Sequence, residues 1–149
     1  MFNLMIRSPL SAKEWQAYYK LRWQVLRAPH GQLLGSEQDE LEAQAFHGSV
    51  FTEQQDIVGV GRLHRLTEQT GQIRYMAVAE AYQRQGIGIQ LLNYLESIAI
   101  NENMRTIKLN ARENALPFYL SSGYQIIGEG PLLYGVITHK WMIKELNDV

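Results

Sequence analysis

Apolar residues in the first part of the chain recur at helical spacing. They lie three or four positions apart at Trp15, Tyr18, Leu21 and Val25. Ser11 and Glu14 precede this stripe in the S-x-x-E pattern of a capping box. We therefore predict a helix from about Ala12 to Leu26, with Arg22 and the following Arg27 on its solvated face.

Further along, short apolar runs separated by turn residues predict strands. Residues 46–52 and 57–66 form a hairpin in this interpretation, and a strand at 72–79 follows through another short turn. Short turns imply antiparallel neighbours. Gly59 and Gly61 inside the second strand indicate a bulge or a close backbone approach. Residues 28–45, rich in Pro, Gly and acidic side chains, are expected to form a loop with one short helix.

The second half alternates helices and strands. A second helical stripe consists of Leu91, Leu92, Leu95, Ile98 and Ala99. The strand after it, residues 106–110, should pair in parallel with the strand before it, because a helix connects them. A short helix at 113–121, Gly123 at its C-terminus, and strands at 124–128 and 136–146 complete the chain. The prediction is one α+β domain over residues 1–149, a mostly antiparallel twisted sheet with a central parallel pair, flanked by helices.

Composition narrows the function classes. The net charge of −1 argues against a nucleic-acid partner, and no apolar run approaches the roughly 18 residues that span a membrane. The N-terminus lacks the pattern of a signal peptide, and there is no cysteine, which favours a cytoplasmic protein. The sequence has no clustered metal-ligand pattern, so we expect no metal.

The turn between the strand at 72–79 and the long helix carries the clearest chemistry. It reads Gln83-Arg84-Gln85-Gly86-Ile87-Gly88. Glycines let a phosphate approach the backbone, and a helix start offers unpaired N–H groups and a positive dipole end. A dinucleotide fingerprint needs a third glycine where Leu91 stands, and no P-loop pattern occurs. The turn is interpreted as a phosphate site of another kind.

Two motifs give the chain a family resemblance. The turn Gln83-x-x-Gly86-x-Gly88 resembles the (Arg/Gln)-x-x-Gly-x-(Gly/Ala) motif of the GNAT (Gcn5-related) N-acetyltransferases. Residues 115–124, ALPFYLSSGY, resemble the A-x-x-F-Y-x-x-x-G-F segment of the same superfamily. There are two departures. Arg112 stands where many members carry Asn, with Asn110 and Asn114 nearby, and residues 80–81 lack the usual Pro.

The resemblance implies the GNAT fold and transfer of an acetyl group from acetyl-CoA to a primary amine, by direct attack through a tetrahedral intermediate. The cofactor-binding residues it implies are Met76, Ala77, Val78, Gln83, Arg84, Gln85, Gly86, Ile87, Gly88, Ile89 and Asn110. Val78 would offer its N–H to the thioester oxygen from a bulge in the strand, and Tyr119 would be the general acid. The general base is left open among Glu37, His64, Glu80 and His139. The alternative is a non-catalytic regulatory module that binds CoA or acyl-CoA.

The acceptor, a small-molecule or peptide amine, is not identified by the sequence. In the family its pocket comes from residues corresponding here to 23–42, the strand around Arg62 and His64, and residues 132–139. The acidic residues of 37–42 would attract a cationic amine, whereas Arg22, Arg27 and Arg62 would bind a carboxylate. The sequence is compatible with a homodimer and does not decide the oligomeric state.

Overall fold

The computed structural model describes residues 3–146, which form a seven-stranded sheet and three α-helices. The strands are β1 (Met5–Arg7), β2 (Phe46–Phe51), β3 (Ile57–Arg65), β4 (Thr70–Val78), β5 (Thr106–Arg112), β6 (Gln125–Glu129) and β7 (His139–Glu145). The helices are α1 (Ala12–Leu26), α2 (Ile87–Asn101) and α3 (Leu116–Ser121). Short 3-10 turns occupy Ala28–His30, Glu42–Gln44, Glu80–Tyr82 and Glu113–Ala115. No helix in this part of the chain is long and apolar enough to cross a membrane.

The strand order is β1-β2-β3-β4-β5-β7-β6, and only the β4–β5 pair is parallel. This confirms the predicted mixed α+β sheet with one central parallel pair. Strand β1 was not predicted. It has three residues and is set by its pairing with β2, in which Ile6 lies opposite Val50, so it carries no alternation of its own.

Helix α1 begins where the capping pattern predicts. The Ser11 hydroxyl accepts a hydrogen bond from the Glu14 N–H at 3.1 Å. The Glu14 carboxylate turns to the N–H of Leu10 and to the guanidinium of Arg7, both at 2.8 Å. The N-terminus of α1 is therefore tied to the end of β1.

The helices cover opposite faces of the sheet. On one face Tyr18 and Leu21 of α1 pack against Val60 and Ala77. On the other face the predicted apolar stripe of α2 packs on the sheet together with α3. The core of that face includes Leu63, Ile73, Leu92, Leu95, Ala99, Ile107, Leu109 and Tyr119. Charged side chains on the α1 face therefore belong to a different environment from the apolar core under α2.

Three predicted segments differ in detail. Residues 113–121 divide into a 3-10 turn and the short α3, and Gly123 follows with the left-handed φ of 94° expected of it. The last strand begins at His139 rather than 136, because Tyr134 and Gly135 have positive φ and form a turn closed by the Leu133–Ile137 bridge. Strand β5 runs to Arg112, two residues beyond its predicted end.

The parallel pair opens after three residues. Register partners join β4 and β5 only from Thr70–Thr106 to Gln72–Lys108. Beyond these partners β4 stays paired with β3, and β5 stays paired with β7 as far as Arg112. The two central strands therefore diverge and leave a gap in the middle of the sheet.

Candidate active site

A cavity of about 450 Å³ fills the gap between β4 and β5. Met76 borders it from β4, Arg112 from β5 and His139 from β7. Tyr119 of α3 reaches it from the face that α2 and α3 cover, and Arg27 closes it at the C-terminus of α1. Its volume lies in the range of small-molecule sites.

The edge of β4 that faces the gap carries free backbone groups. The N–H of Ala79 donates to the carbonyl of Val58 at 2.8 Å, so alternation along the antiparallel ladder turns the groups of Ala77 toward β3 as well. The groups of Met76 and Val78 then point to the opposite edge, where no strand lies in the described structure. The Val78 carbonyl is taken by the side-chain amide of Gln83 at 3.0 Å. The backbone groups of Ala77 are therefore turned away from the gap, and they are not available to the cofactor that the resemblance assigns to this residue.

A β-bulge interrupts β4 beside the cavity. Val60 pairs with Ala77 and Arg62 pairs with Arg74, so Tyr75 and Met76 together lie opposite Gly61. Tyr75 has a φ of 60°, a left-handed conformation that is rare for a bulky residue. The bulge that the sequence predicts in this strand is present. Gly61 meets it by close approach, since a Cβ there would lie 2.7 Å from the Met76 sulfur.

The start of α2 leaves backbone donors unused. The first bond of the helix runs from Gln90 N–H to the Gly86 carbonyl, and Gly86 has a φ of 82°. Among residues 3–146, no backbone carbonyl accepts from the N–H groups of residues 84–89. These groups lie at the positive end of α2 on the exposed turn, which suits an anion. Gln83 links this turn to the end of β4 through its bond to Val78.

Different structural features favour glycine at positions 86 and 88. Gly86 takes up the left-handed backbone and has open space where a Cβ would be. At Gly88 a Cβ would meet the Phe118 ring at 3.3 Å. Close packing between α2 and α3 therefore favours a small residue at Gly88 even without a phosphate.

Tyr119 is held by aromatic packing. Its ring makes edge contacts with Phe118 at 4.9 Å and Tyr124 at 5.6 Å between centroids, and the residue is 7% exposed. Its hydroxyl makes no hydrogen bond within the described residues. Burial raises the pKa of this phenol above its usual range, so it stays protonated at neutral pH.

Of the four candidate bases, His139 is the one that lines the cavity. Its Nδ1 lies 3.1 Å from the carbonyl oxygens of Pro131 and Ile137. Carbonyls only accept hydrogen bonds, so Nδ1 carries the hydrogen and Nε2 keeps a lone pair in the neutral ring. His64 instead contacts Arg62 and lies outside the cavity lining. Burial, followed by the charge of Arg62, lowers the pKa of His64.

Glu37 and Glu80 also lie outside the cavity lining. The Glu37 carboxylate is buried and accepts bonds from the Gly35 N–H and the Gln38 amide. Glu80 is exposed on the 3-10 turn after β4. Neither carboxylate borders the space between Met76 and Tyr119, where the predicted chemistry would occur.

Arg22 is not on a solvated face, and that prediction is wrong. It is fully buried, with hydrogen bonds to the carboxylate of Glu42 at 2.9 Å and the carbonyl of Glu37 at 3.0 Å. Arg62, also fully buried, binds Glu42 at 2.9 Å and both oxygens of Asp39 at 2.6 and 3.0 Å. Burial opposes ionisation of Asp39, but the hydrogen bonds from Arg62 and the Leu41 N–H, together with the charges of Arg62 and Arg74, outweigh it, and the pKa of this carboxyl is well below its usual range.

The same buried group extends to Tyr75. The guanidinium carbons lie over its ring at 4.2 Å for Arg22, 4.9 Å for Arg62, 4.5 Å for Arg74 and 5.6 Å for Arg27. The bulge thus brings one aromatic ring against four cations. Local sequence gave no sign of this arrangement, because the carboxylates that bind Arg22 and Arg62 come from a loop about twenty residues away in the chain.

Arg27 and Arg112 meet at the end of α1. Arg27, predicted to be solvated, is only 9% exposed, so that prediction is wrong as well. Arg112, at the position of the family's usual Asn, donates to the Leu26 carbonyl at 3.2 Å and thus turns toward α1. Asn110 lines the cavity, and its buried Oδ1 has no hydrogen-bond partner in the described structure. This oxygen lies close to Gly130, where a Cβ would come within 2.7 Å of it.

Comparisons with known proteins agree with this architecture. A family model described as acetyltransferase (GNAT) domain matches residues 26–146. The chain is 31% identical over 109 residues to the Bacillus subtilis (strain 168) protein named uncharacterized N-acetyltransferase YjcF, covering 73% of this chain and 76% of the relative. The chain therefore belongs to the GNAT acetyltransferase family, and it is an acyltransferase.

Solved structures show the same fold. An aminoglycoside 6'-N-acetyltransferase complexed with coenzyme A superposes with a TM-score of 0.81 at 17% identity, over 99% of this chain and 98% of the other. A GNAT family acetyltransferase from Elizabethkingia anophelis with acetyl-CoA bound superposes with a TM-score of 0.72 at 18% identity, over 97% and 99%. At these identities the agreement concerns the fold alone.

Proposed function

We propose that this protein transfers the acetyl group of acetyl-CoA to a primary amine at the gap between β4 and β5. One observation carries the proposal: the free edge of β4 and the buried phenol of Tyr119 border one cavity, and β4 leads from that cavity to the uncapped start of α2. The two structures named above, one with coenzyme A and one with acetyl-CoA, support the choice of donor.

The residues present fit the donor. The N–H groups of residues 84–89 would bind the pyrophosphate, with Arg84 at the rim. The pantetheine arm would lie along the open edge of β4, bonding the carbonyl of Met76 and the N–H of Val78, as an added strand does. Asn110, with its unpartnered oxygen, would bind from the other side of the gap.

The bulge directs the choice of oxyanion donor. The sequence pointed to the N–H of Val78, but Met76 borders the same cavity as Tyr119, and Val78 does not. We therefore assign the donor to the Met76 N–H, next to the bulge residue Tyr75. One backbone donor of this kind typically lowers the barrier by about 3 kcal/mol.

Two side chains would move the protons. Nε2 of His139 would accept a proton from the incoming ammonium, so that the amine nitrogen attacks the thioester carbon. The C–N bond then forms and the C–S bond breaks. The Tyr119 phenol, kept protonated by burial, would give its proton to the leaving sulfur and recover one from the amide nitrogen.

The first test replaces Tyr119 by Phe, which keeps the ring packing and removes the proton. Thiol release from acetyl-CoA, measured across polyamines, amino acids, aminoglycosides and peptide N-termini, should fall about 100-fold or more in turnover. Tyr94→Phe is the matched control, because Tyr94 lies outside the cavity. Unchanged turnover in Tyr119→Phe would remove the assignment. CoA binding without turnover of any amine would favour the non-catalytic module instead.

The second test replaces His139 by Gln. If Nε2 is the base, kcat/KM should fall about 100-fold at neutral pH. His30→Gln is the control, since His30 packs on Tyr134 outside the cavity lining. A His139→Gln mutant that keeps the wild-type kcat/KM would show that another group accepts the proton.

A further inference from the structure

Two arginines line the acceptor side of the cavity without a carboxylate to neutralise them. Arg27 donates to the carbonyl of Ser36 at 3.3 Å, and Arg112 to that of Leu26 at 3.2 Å. Neither forms an ion pair within the chain from residue 3 to residue 146. Arginine in protein interiors is normally paired with an anion, because an isolated buried charge is unfavourable.

The two charges also oppose each other. Burial, and then the charge of Arg27, lowers the pKa of the Arg112 guanidinium. A third guanidinium, that of Arg74, borders the same cavity, although it is half-exposed and bound to Asp39 at 3.1 Å. Among the described residues that line this cavity there is no Asp and no Glu. The cavity therefore has excess positive charge.

The acidic loop does not offset this charge. Asp39 and Glu42 are bound to Arg22 and Arg62, and neither carboxylate borders the cavity. The Glu37 carboxylate is held by its own loop. The hypothesis that the acidic residues of 37–42 attract a cationic acceptor is therefore not supported by where these side chains lie.

The position of the arginines relates to the chemistry. Arg112 lies directly opposite His139 in the β5–β7 ladder, so their side chains share one face. A ligand anion on Arg27 and Arg112 would place the rest of the ligand toward His139 and the β4 edge. Leu26, Leu133 and Trp141 supply apolar walls around this space.

We propose that Arg27 and Arg112 bind a carboxylate of the acceptor, and that the acceptor is a small amino acid–like amine. This inference rests on the proposed acetyl transfer and names its substrate class. Guanidinium groups recognise carboxylates through paired hydrogen bonds, which a lysine does not reproduce. The apolar walls favour an acceptor with a hydrocarbon side chain.

The test uses acceptors that share the hydrocarbon side chain and differ at the carboxyl group: leucine carries it, leucinamide carries its uncharged amide, and 3-methylbutylamine lacks it. With the wild-type enzyme and acetyl-CoA, kcat/KM for leucine should exceed that for the two uncharged-end amines at least 10-fold. In Arg112→Gln and Arg27→Gln the ratio of kcat/KM for leucine to that for the two other amines should fall toward one, mainly through a higher KM for leucine. Arg112→Lys should restore part of it, and Arg65→Gln, an exposed arginine elsewhere, should leave it unchanged.

A binding measurement separates this inference from the proposed reaction. Titration of wild-type protein plus CoA with N-acetylleucine should give tighter binding than with N-acetylleucinamide, and Arg112→Gln should abolish the difference. If no amine is acetylated but this difference in binding is observed, the carboxylate site is supported and the proposed acetyl transfer is not. Equal binding of the two compounds, or a preference for the amines without a carboxylate, would overturn the inference.

Discussion

Two pairs of arginines on the α1 side of the sheet differ in what faces them. Arg22 and Arg62 are fully buried and share the carboxylate of Glu42, and Arg62 also binds Asp39. Arg27 and Arg112 border the cavity, and the acceptors of their hydrogen bonds in the described structure are carbonyl oxygens. Tyr75 contacts members of both groups, since Arg22, Arg62 and Arg27 lie over its ring.

This difference predicts that the paired arginines stabilise the fold, whereas the unpaired arginines are available to bind a ligand. A buried charge with hydrogen-bonded partners belongs to the folded core, and removing one partner leaves the other uncompensated. Arginines without a carboxylate partner add no such pair to the folded core. If Arg27 and Arg112 bind a ligand carboxylate, as we propose, the same residue type has two roles within one region, and the presence of a carboxylate in the chain distinguishes them.

Removing the shared carboxylate should have the largest effect. In Glu42→Gln, Arg22 and Arg62 lose a common partner while the side chain keeps its shape. The free energy of unfolding should fall by about 3–5 kcal/mol, measured by urea denaturation. Glu40→Gln, an exposed neighbour, should stay within about 0.5 kcal/mol of wild type. A loss below about 1 kcal/mol in Glu42→Gln would mean that the paired group is not a stabilising core.

Removing the aromatic ring between the groups should have an intermediate effect. Tyr75→Leu takes away the face over which the guanidinium groups lie, while a branched side chain still fills part of the space. We expect a loss of about 2 kcal/mol in unfolding free energy, because a desolvated cation–π contact is worth about that much. Tyr94→Leu, half-buried on α2 at the opposite face of the sheet, provides a comparison outside the arginine group. If the urea midpoint of Tyr75→Leu equals that of wild type, the ring fills space without stabilising the guanidinium groups.

Removing the unpaired charges should have the smallest effect on folding. Arg27→Gln and Arg112→Gln lose a charge without orphaning a carboxylate, so unfolding free energies should stay within about 1 kcal/mol of wild type. Arg62→Gln is the matched control and should lose several times more, since it leaves Asp39 and Glu42 short of a partner. Equal losses in all three variants would erase the distinction between the two groups.

Much of the fold followed from local patterns. The capping pattern at Ser11 and the apolar stripes defined α1 and α2, and the crossover helix required the parallel β4–β5 pair. These features depend on residues near one another in the chain. The turn at 83–88 was likewise recognisable, because glycine spacing and a helix start are both local.

What the sequence did not reveal depends on distant contacts. Arg22 lies on α1 at helical spacing from Tyr18, Val25 and Leu26, but nothing near it in the chain indicates that Glu42 will bind it. Arg27 and Arg112 are 85 positions apart, yet both donate to the Leu26 carbonyl at the end of α1. Strand β1 and the turn at Tyr134 are likewise set by partners rather than by alternation.

The gap between β4 and β5 has a thermodynamic consequence. Only three register pairs join the two halves of the sheet, so the folded chain alone leaves part of its central ladder unmade. A donor molecule lying along β4 would bind the native state and not the unfolded chain, and mass action would then make the melting temperature rise with its concentration. At one hundred times its dissociation constant, such a ligand would add about 2.7 kcal/mol to the stability of the protein. The resistance of this enzyme to heat would then report how much donor surrounds it.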